Sequence, residues 1–313
     1  MSRIATGKPG YPQRLALDLD GRRDDTLFYA AQRARRNIGL VSSTSVFSPG
    51  VAAFYAHTGQ PADPPAFAHQ LLDNTRIDVI LGGGSAVFRE LTLRGGRDLL
   101  AEARKSGFAF TENRGELDKF QAWRFLTPLL GLYGDERLPW SYTQDSSDPY
   151  SPPSLADMTR RAIEKLQYNF GGYFLVIEHG LVAEAARGNF ASKAVNEVIA
   201  LDEAIQVARL YGGRNVHILV LCPFSIGGLQ LPVEDSAAIP SPSWHNGPGA
   251  VPPGTTHAQP DDLPPLLPAG FHLPAAAPTS GYGWLFSFGP APHDFPGGTL
   301  DAVQLHNLIR RQL

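Results

Sequence analysis

Apolar residues in this chain recur at helical spacing in some segments and run continuously in others, and the two kinds alternate along it. "DDTLFYAAQRARRNIGLVSST" predicts a helix that opens on acids and closes on Arg33, Arg35 and Arg36, followed by a strand from Gly39. Acids at the start and bases at the end complement the helix dipole. "IDVILGG" (77–83) is a short β-branched run stopped by glycines, the pattern of a buried strand. "GGRDLLAEARKSG" then predicts a helix ending at Gly107. In "SLADMTRRAIEKLQYN", Ser154 and Asp157 have capping-box spacing ahead of Ile163 and Leu166 at helical spacing. "YFLVIE" (173–178) is an apolar strand, and "ASKAVNEVIALDEAIQVARLYGG" is a long amphipathic helix with a glycine stop at Gly212. "NVHILVLCPF" and "YGWLFSFG" predict two more strands, and "GGTLDAVQLHNLIRRQL" a C-terminal helix.

Strands that alternate with helices and are apolar on both faces predict a mostly parallel sheet covered on each side, a three-layer α/β/α fold. Residues 232–278 depart from this pattern, holding 12 of the 27 prolines. Proline at that density argues against helix and inner strand, so the segment is expected to be an irregular insertion within a single domain spanning 1–313.

Composition narrows the function classes. Lys and Arg number 27 against 30 acids, a net charge of −3, which gives no electrostatic basis for binding nucleic acid or an anionic membrane. Only 18% of residues are charged, below the usual share of about a quarter, a hint of covered surface. One cysteine, Cys222, excludes an internal disulfide and a thiolate cluster for zinc. The first 30 residues hold no apolar core of a signal peptide, and no run approaches the ~18 apolar residues that span a bilayer. The expected location is therefore the cytoplasm.

Several segments, in order, resemble the alkaline phosphatase family. They are "NIGLVSSTSVFSPGVAAFYAH" (37–57), "IDVILGGGSAVF", "LLGLYGDERLPW", "PSLADMTRRAIEKL", "GYFLVIEHG", "NEVIALDEAIQVA" and the run "GPAPHDFPG" (289–297) before the C-terminal helix. The resemblance implies an alkaline-phosphatase-like fold. The chemistry it implies is phosphomonoester hydrolysis by a serine nucleophile, with two zinc ions and a magnesium site held by carboxylates and imidazoles at strand ends.

Matched to that pattern, this sequence keeps one ligand type and departs elsewhere. Glu178 stands at the magnesium-binding glutamate. Ala183 and Arg187 stand where an aspartate and a histidine bind zinc, and Pro223 and Phe224 replace the aspartate and histidine of the T-A-D-H strand end. The late zinc histidine aligns near Pro278. Ser48 and Gly50 occupy the Asp-or-His and Thr-or-Ser positions, and the phosphate-clamping arginine falls at or near Pro61. "LALDLDG" matches the family's segment just after the nucleophile, and no serine in "MSRIATG" has the required strand-to-helix context. Alanine, proline and phenylalanine carry no metal-donor atom, and Arg187 repels a cation, so no metal cofactor is expected.

Two readings of Glu178 stay open: a strand-end acid partnered by solvent or backbone, or a surviving magnesium ligand. A new site from Glu178, His179 and Glu184 meets a geometric obstacle, because adjacent strand residues point to opposite faces. A triad from Ser42, Ser43 or Ser45 with His57 lacks the G-x-S-x-G elbow. The resemblance also implies a first strand upstream of the matched residues. The sheet then closes without it, is covered by 232–278, or is covered by another chain. The expected function is a non-catalytic structural or protein-binding subunit, with other protein chains as partners. Trp244, Leu263, Leu266, Leu267 and Phe271 in the proline-rich segment are the expected contact anchors. The alternatives are a residual metal-dependent phosphomonoester hydrolase and a monomeric binder of an anionic small molecule.

Overall fold

The computed structural model describes the chain except residues 10, 12, 13, 60–62, 74, 75, 224, 231–242, 250–268, 280–282, 291–294, 296 and 297, with backbone alone at 270–272. Five strands form a parallel sheet: β1 (Asn37–Ser45), β2 (Val79–Gly83), β3 (Ala109–Thr111), β4 (Leu129–Leu132) and β5 (Tyr173–Glu178). Their order is β3-β4-β2-β1-β5, which puts β5 at an edge among the described residues. Side chains alternate across the pleat into two apolar layers. Leu40, Ile80 and Leu130 pack with Leu27, Phe28 and Ala31 on one face. Val41, Val79, Leu81 and Leu129 pack with Leu155, Met158, Ala162 and Leu166 on the other. This is the expected three-layer arrangement.

Local signals placed most elements. The helix Leu155–Leu166 carries the capping box, with the Ser154 N–H donating to Asp157 Oδ2 at 3.1 Å and the Asp157 N–H to Ser154 Oγ at 3.1 Å. The helix Leu99–Lys105 stops before Gly107, whose φ is +91°. Two boundaries differ from expectation. The helix Leu27–Arg33 starts on Thr26 as its cap, leaving Asp25 to pair with Arg33 and Arg310. The long helix Ala191–Gly212 includes Gly212, and the residue with positive φ is Gly213.

The last apolar strands lie outside the parallel sheet. β6 (Ile218–Cys222) pairs antiparallel with the later strand Trp284–Phe288. Between them come β7 (Ser225–Ile226), β8 (Leu229–Gln230), β9 (Ser243–Gly247), β10 (Ala269–His272) and β11 (Pro278–Thr279), which makes Trp284–Phe288 β12. The described part of 232–278 is thus not irregular, and β9 is an inner strand in the order β10-β9-β8. The physical reason is that Pro242 and Pro248 flank the five residues of β9 rather than interrupt them, so every residue of β9 keeps its N–H.

Candidate functional site

The C-terminal ends of β1 and β5 bring Thr44, Ser45 and Glu178 to the wall of a large cleft. Ser42 is the register partner of Glu178, and Ser42 and Thr44, two residues apart, share a face. Both donate to one carboxylate oxygen, Ser42 Oγ to Glu178 Oε2 at 2.6 Å and Thr44 Oγ1 to the same atom at 2.9 Å. Ser42 Oγ also accepts the Thr44 N–H at 3.1 Å. The chain turns into the helix Leu181–Arg187 directly over this group. A Cβ on Gly180 would sit 2.5 Å from Glu178 Oε1, so that close approach requires glycine.

His179 faces the opposite way, as strand alternation requires. Its Nε2 lies 2.9 Å from the Glu197 carbonyl oxygen and 3.2 Å from Glu197 Oε2. Glu197 is fully buried and accepts from the Ser141 N–H at 2.8 Å and Ser141 Oγ at 2.6 Å. Burial raises the Glu197 carboxyl, but the hydrogen bonds from His179 and Ser141 outweigh it and hold the group below the usual carboxylate range. Glu184 pairs with Arg137 Nε at 2.9 Å, and burial lifts its pKa against the pull of Arg137 and Arg187. The Arg137 guanidinium lies 4.6 Å from the Trp140 ring centre, and Lys193 Nζ 4.9 Å from it. Burial, reinforced by Arg137, pushes the Lys193 ammonium down.

The structure gathers several of the sequence-derived positions. Ser48, Gly50, Glu178, Ala183, Arg187 and Pro223 line one cleft of about 2000 Å³. Ser48 Oγ has no hydrogen-bond partner among the described residues. Ala183 packs with Trp244 and Ile226, Arg187 is exposed, and its carbonyl accepts the Ala276 N–H at 2.8 Å. Pro278 lies away from this wall, in β11 opposite Ile226. Pro61 and Phe224 lie outside the described residues, as do Leu263, Leu266 and Leu267. Phe271 is placed by its backbone in β10. Trp244 corrects an expectation: it is 3% exposed and packs against Ala185, Ala186, Ala194, Ile226 and Ala276 of its own chain. The apolar face of the helix Leu181–Arg187 buries it, so it is core and not an anchor for a partner.

Among the described residues neither the triad nor a three-residue metal site assembles. His57 Nε2 lies 2.7 Å from the Asp24 carbonyl oxygen, while Ser42 is committed to Glu178. Among the described residues no three His, Cys, Asp or Glu side chains gather to hold a metal ion. The donor set along the cleft does not fit a two-zinc centre either. Glu178 Oε2 already accepts two hydroxyls, Glu184 is paired with Arg137, His179 faces away, and Ala183 and Pro223 carry no donor. Sequence reasoning missed the Ser42–Thr44 clamp and the Ser141–Glu197–His179 network. The signal for the first was hydroxyls at alternate positions within an otherwise apolar strand.

Comparison with known proteins agrees with this architecture. Residues 3–223 match the sequence model described as alkaline phosphatase. Alkaline phosphatase 4 of Bacillus subtilis (strain 168) is 27% identical over 252 residues, covering 78% of this chain and 51% of that protein. The alkaline phosphatase of Escherichia coli (strain K12) is 27% identical over 257 residues, covering 69% and 54%. The chain thus spans about half the length of the curated relatives it matches. Among solved structures, the alkaline phosphatase of the Antarctic bacterium TAB5 has a TM-score of 0.73 at 17% identity, over 99% of this chain and 82% of that one. The Thermus thermophilus alkaline phosphatase has a TM-score of 0.64 at 25% identity, over 70% and 46%. No helix among the described residues is long and apolar enough to cross a membrane. With the matched region covering most of its residues, the chain belongs to the alkaline phosphatase family.

Proposed function

We propose that this chain is a non-catalytic member of its family that acts as a structural or protein-binding subunit of a larger assembly. The observation that carries the reading is the state of Glu178. Its Oε2 accepts from two neighbouring hydroxyls, and the nearby cleft positions Ala183, Arg187 and Pro223 have neither carboxylate nor imidazole. A phosphoryl-transfer clamp needs several anionic or imidazole ligands converging on one point, and one glutamate does not supply it. In this reading Ser48, Gly50, Pro61, Phe224 and Pro278 are likewise degenerate positions, no metal cofactor is used, and residues 1–313 form one domain in which 232–278 is an insertion. Leu263, Leu266, Leu267 and Phe271 remain the proposed contacts of that insertion, and the partners are other polypeptides.

The test is turnover of p-nitrophenyl phosphate by the purified chain with zinc and magnesium added. The expected rate is that of the buffer. Turnover that disappears in Glu178→Ala would refute the reading and restore the hydrolase. A second reading, a monomeric binder of an anionic small molecule, draws on Arg137 and Arg187 in the cleft wall. Saturable thermal stabilisation of a monomer by inorganic phosphate would favour it.

A further inference from the structure

The long helix Ala191–Gly212 begins without the groups that usually close a helix N-terminus. Phe190 stands at its cap and offers no side-chain hydrogen bond, and the first turn holds no acid. The first bond of the helix runs from the Ala194 N–H to the Phe190 carbonyl at 2.9 Å. The N–H groups of Ala191, Ser192 and Lys193 precede it and have no partner among the described residues. Asn189, the nearest side chain of a capping type, is committed elsewhere. Its Nδ2 donates to the Asn246 carbonyl at 3.1 Å, and its Oδ1 accepts the Gly249 N–H at 3.0 Å. The partial positive charge of this helix end is thus uncompensated by the described residues.

A lysine in the same turn adds to that charge. Lys193 is 8% exposed, and its Nζ lies 4.6 Å from the Phe190 ring centre and 4.9 Å from that of Trp140. Helical side chains lean towards the N-terminus, which carries this ammonium back to the cap residue. Its contacts are ring faces, and among the described residues it has no hydrogen bond and no ion pair. The nearby acids are taken. Glu197, one turn further on, accepts from the Ser141 N–H and Oγ and faces His179. Glu184 pairs with Arg137 at 2.9 Å. The other neighbours are cations. Arg137 lies on the Trp140 ring, and after burial it is the second cause that pushes the Lys193 ammonium down. Arg187 ends the preceding helix, exposed and without an ion pair among the described residues, and only Gly188, Asn189 and Phe190 separate it from Ala191.

This arrangement is unfavourable as it stands. The dipole opposes a cation in the first turn of a helix, and a buried ammonium without a counter-charge is costly. One anion seated on the turn removes both costs. Backbone N–H groups at a helix N-terminus are aimed at such a ligand, and an ammonium beside them supplies a charged donor. Ser192 in the same turn is exposed, so a dissolved ion reaches these groups from solvent. The turn lies at the rim of the cleft, whose wall includes Arg137, Arg187 and Ala194.

We propose that the first turn of this helix, completed by Lys193, is a binding site for a small tetrahedral dianion such as sulfate or hydrogen phosphate. A dianion suits it better than a carboxylate because the helix dipole, Lys193 and Arg187 together leave more than one positive charge uncompensated by the described residues. The donors are the N–H groups of Ala191, Ser192 and Lys193 and the Lys193 ammonium. The site uses neither Glu178 nor Ser48, so it is independent of the subunit reading. It deepens the anion-binding reading above, on which it rests, by giving the anion a place.

The test is isothermal titration calorimetry of the full chain with sodium sulfate, sodium phosphate and sodium acetate at constant ionic strength. Sulfate and phosphate should saturate one site, and acetate should bind at least about tenfold more weakly. Lys193→Met keeps an apolar stem between the two rings and removes the charge, and should weaken sulfate at least about tenfold. In chloride without sulfate this variant should melt no lower than wild type, because it loses an unpaired charge beside a like dipole. Ala191→Pro removes one N–H at the first helical position, where proline is tolerated, and should weaken sulfate about three- to tenfold. No saturation by either dianion overturns the inference. So does a Lys193→Met variant that melts lower in chloride yet binds sulfate as wild type does, since the lysine then serves only the rings. Binding lost in Arg187→Ala but kept in the other two variants overturns the site and leaves the anion reading at the cleft wall. Sulfate binding that follows Lys193, together with phosphatase turnover abolished by Glu178→Ala, keeps the site and sinks the subunit reading.

Discussion

Glu197→Ala probes the most heavily bonded buried charge near the cleft. The carboxylate is fully buried and accepts two hydrogen bonds from Ser141, at 2.8 and 2.6 Å, with His179 Nε2 3.2 Å from Oε2. A hydrogen bond to a charged group contributes about 1.5–3 kcal/mol, but three on one carboxylate do not add independently. Truncating the carboxylate leaves the Ser141 N–H and hydroxyl without their acceptor, and removing one partner from a buried charged hydrogen-bond network costs about 3–5 kcal/mol. His179 keeps its 2.9 Å contact with the Glu197 backbone oxygen after truncation, which places the expected loss at the low end, about 3 kcal/mol. Urea unfolding at pH 7 measures it. The loss also has a predicted pH dependence. The folded-state pKa lies below the unfolded value of about 4.3, so the contribution is fully present above that value and fades as pH falls through the folded pKa. Wild type and variant should therefore converge in acid. A loss under about 1 kcal/mol at pH 7, or a gap that widens as pH falls, would refute the argument that hydrogen bonding outweighs burial at this carboxylate.

Ser42→Ala removes a 2.6 Å bond to Glu178 and the acceptor of the Thr44 N–H, and should cost about 1.5–3 kcal/mol in urea unfolding. Combined with Thr44→Val, the loss should be less than the sum, since both hydroxyls serve one oxygen, and strict additivity would show that they act separately. Trp244→Ala should destabilise the isolated chain by about 3–5 kcal/mol, as core tryptophans do, and unchanged stability would return the residue to the surface role assigned from sequence.

Local pattern was enough for much of this molecule. Short continuous apolar runs located β1, β2, β5 and β6, because a strand covered on both faces is apolar at nearly every position. The capping box at Ser154 was legible for the same reason, since both partners lie within one turn. So was the divergence of Glu178 and His179, which follows from strand geometry alone. The ordered segments resembling one family likewise announced the three-layer fold.

What joins distant segments was decided only in three dimensions. Glu178 takes its hydroxyl partners from residues 136 and 134 positions earlier, and His179, Glu197 and Ser141 meet from three separate elements. No local period encodes such contacts, because they depend on which strands become neighbours. Proline density concealed β9, whose residues pair on both sides between flanking prolines, and it made Trp244 look exposed when helix packing buries it. The run "ILVLC" declared itself a strand, yet its sequence carries nothing about which strand lies beside it. Tertiary packing paired it with β12, because strand pairing is fixed by the layers of helices that hold the strands in place.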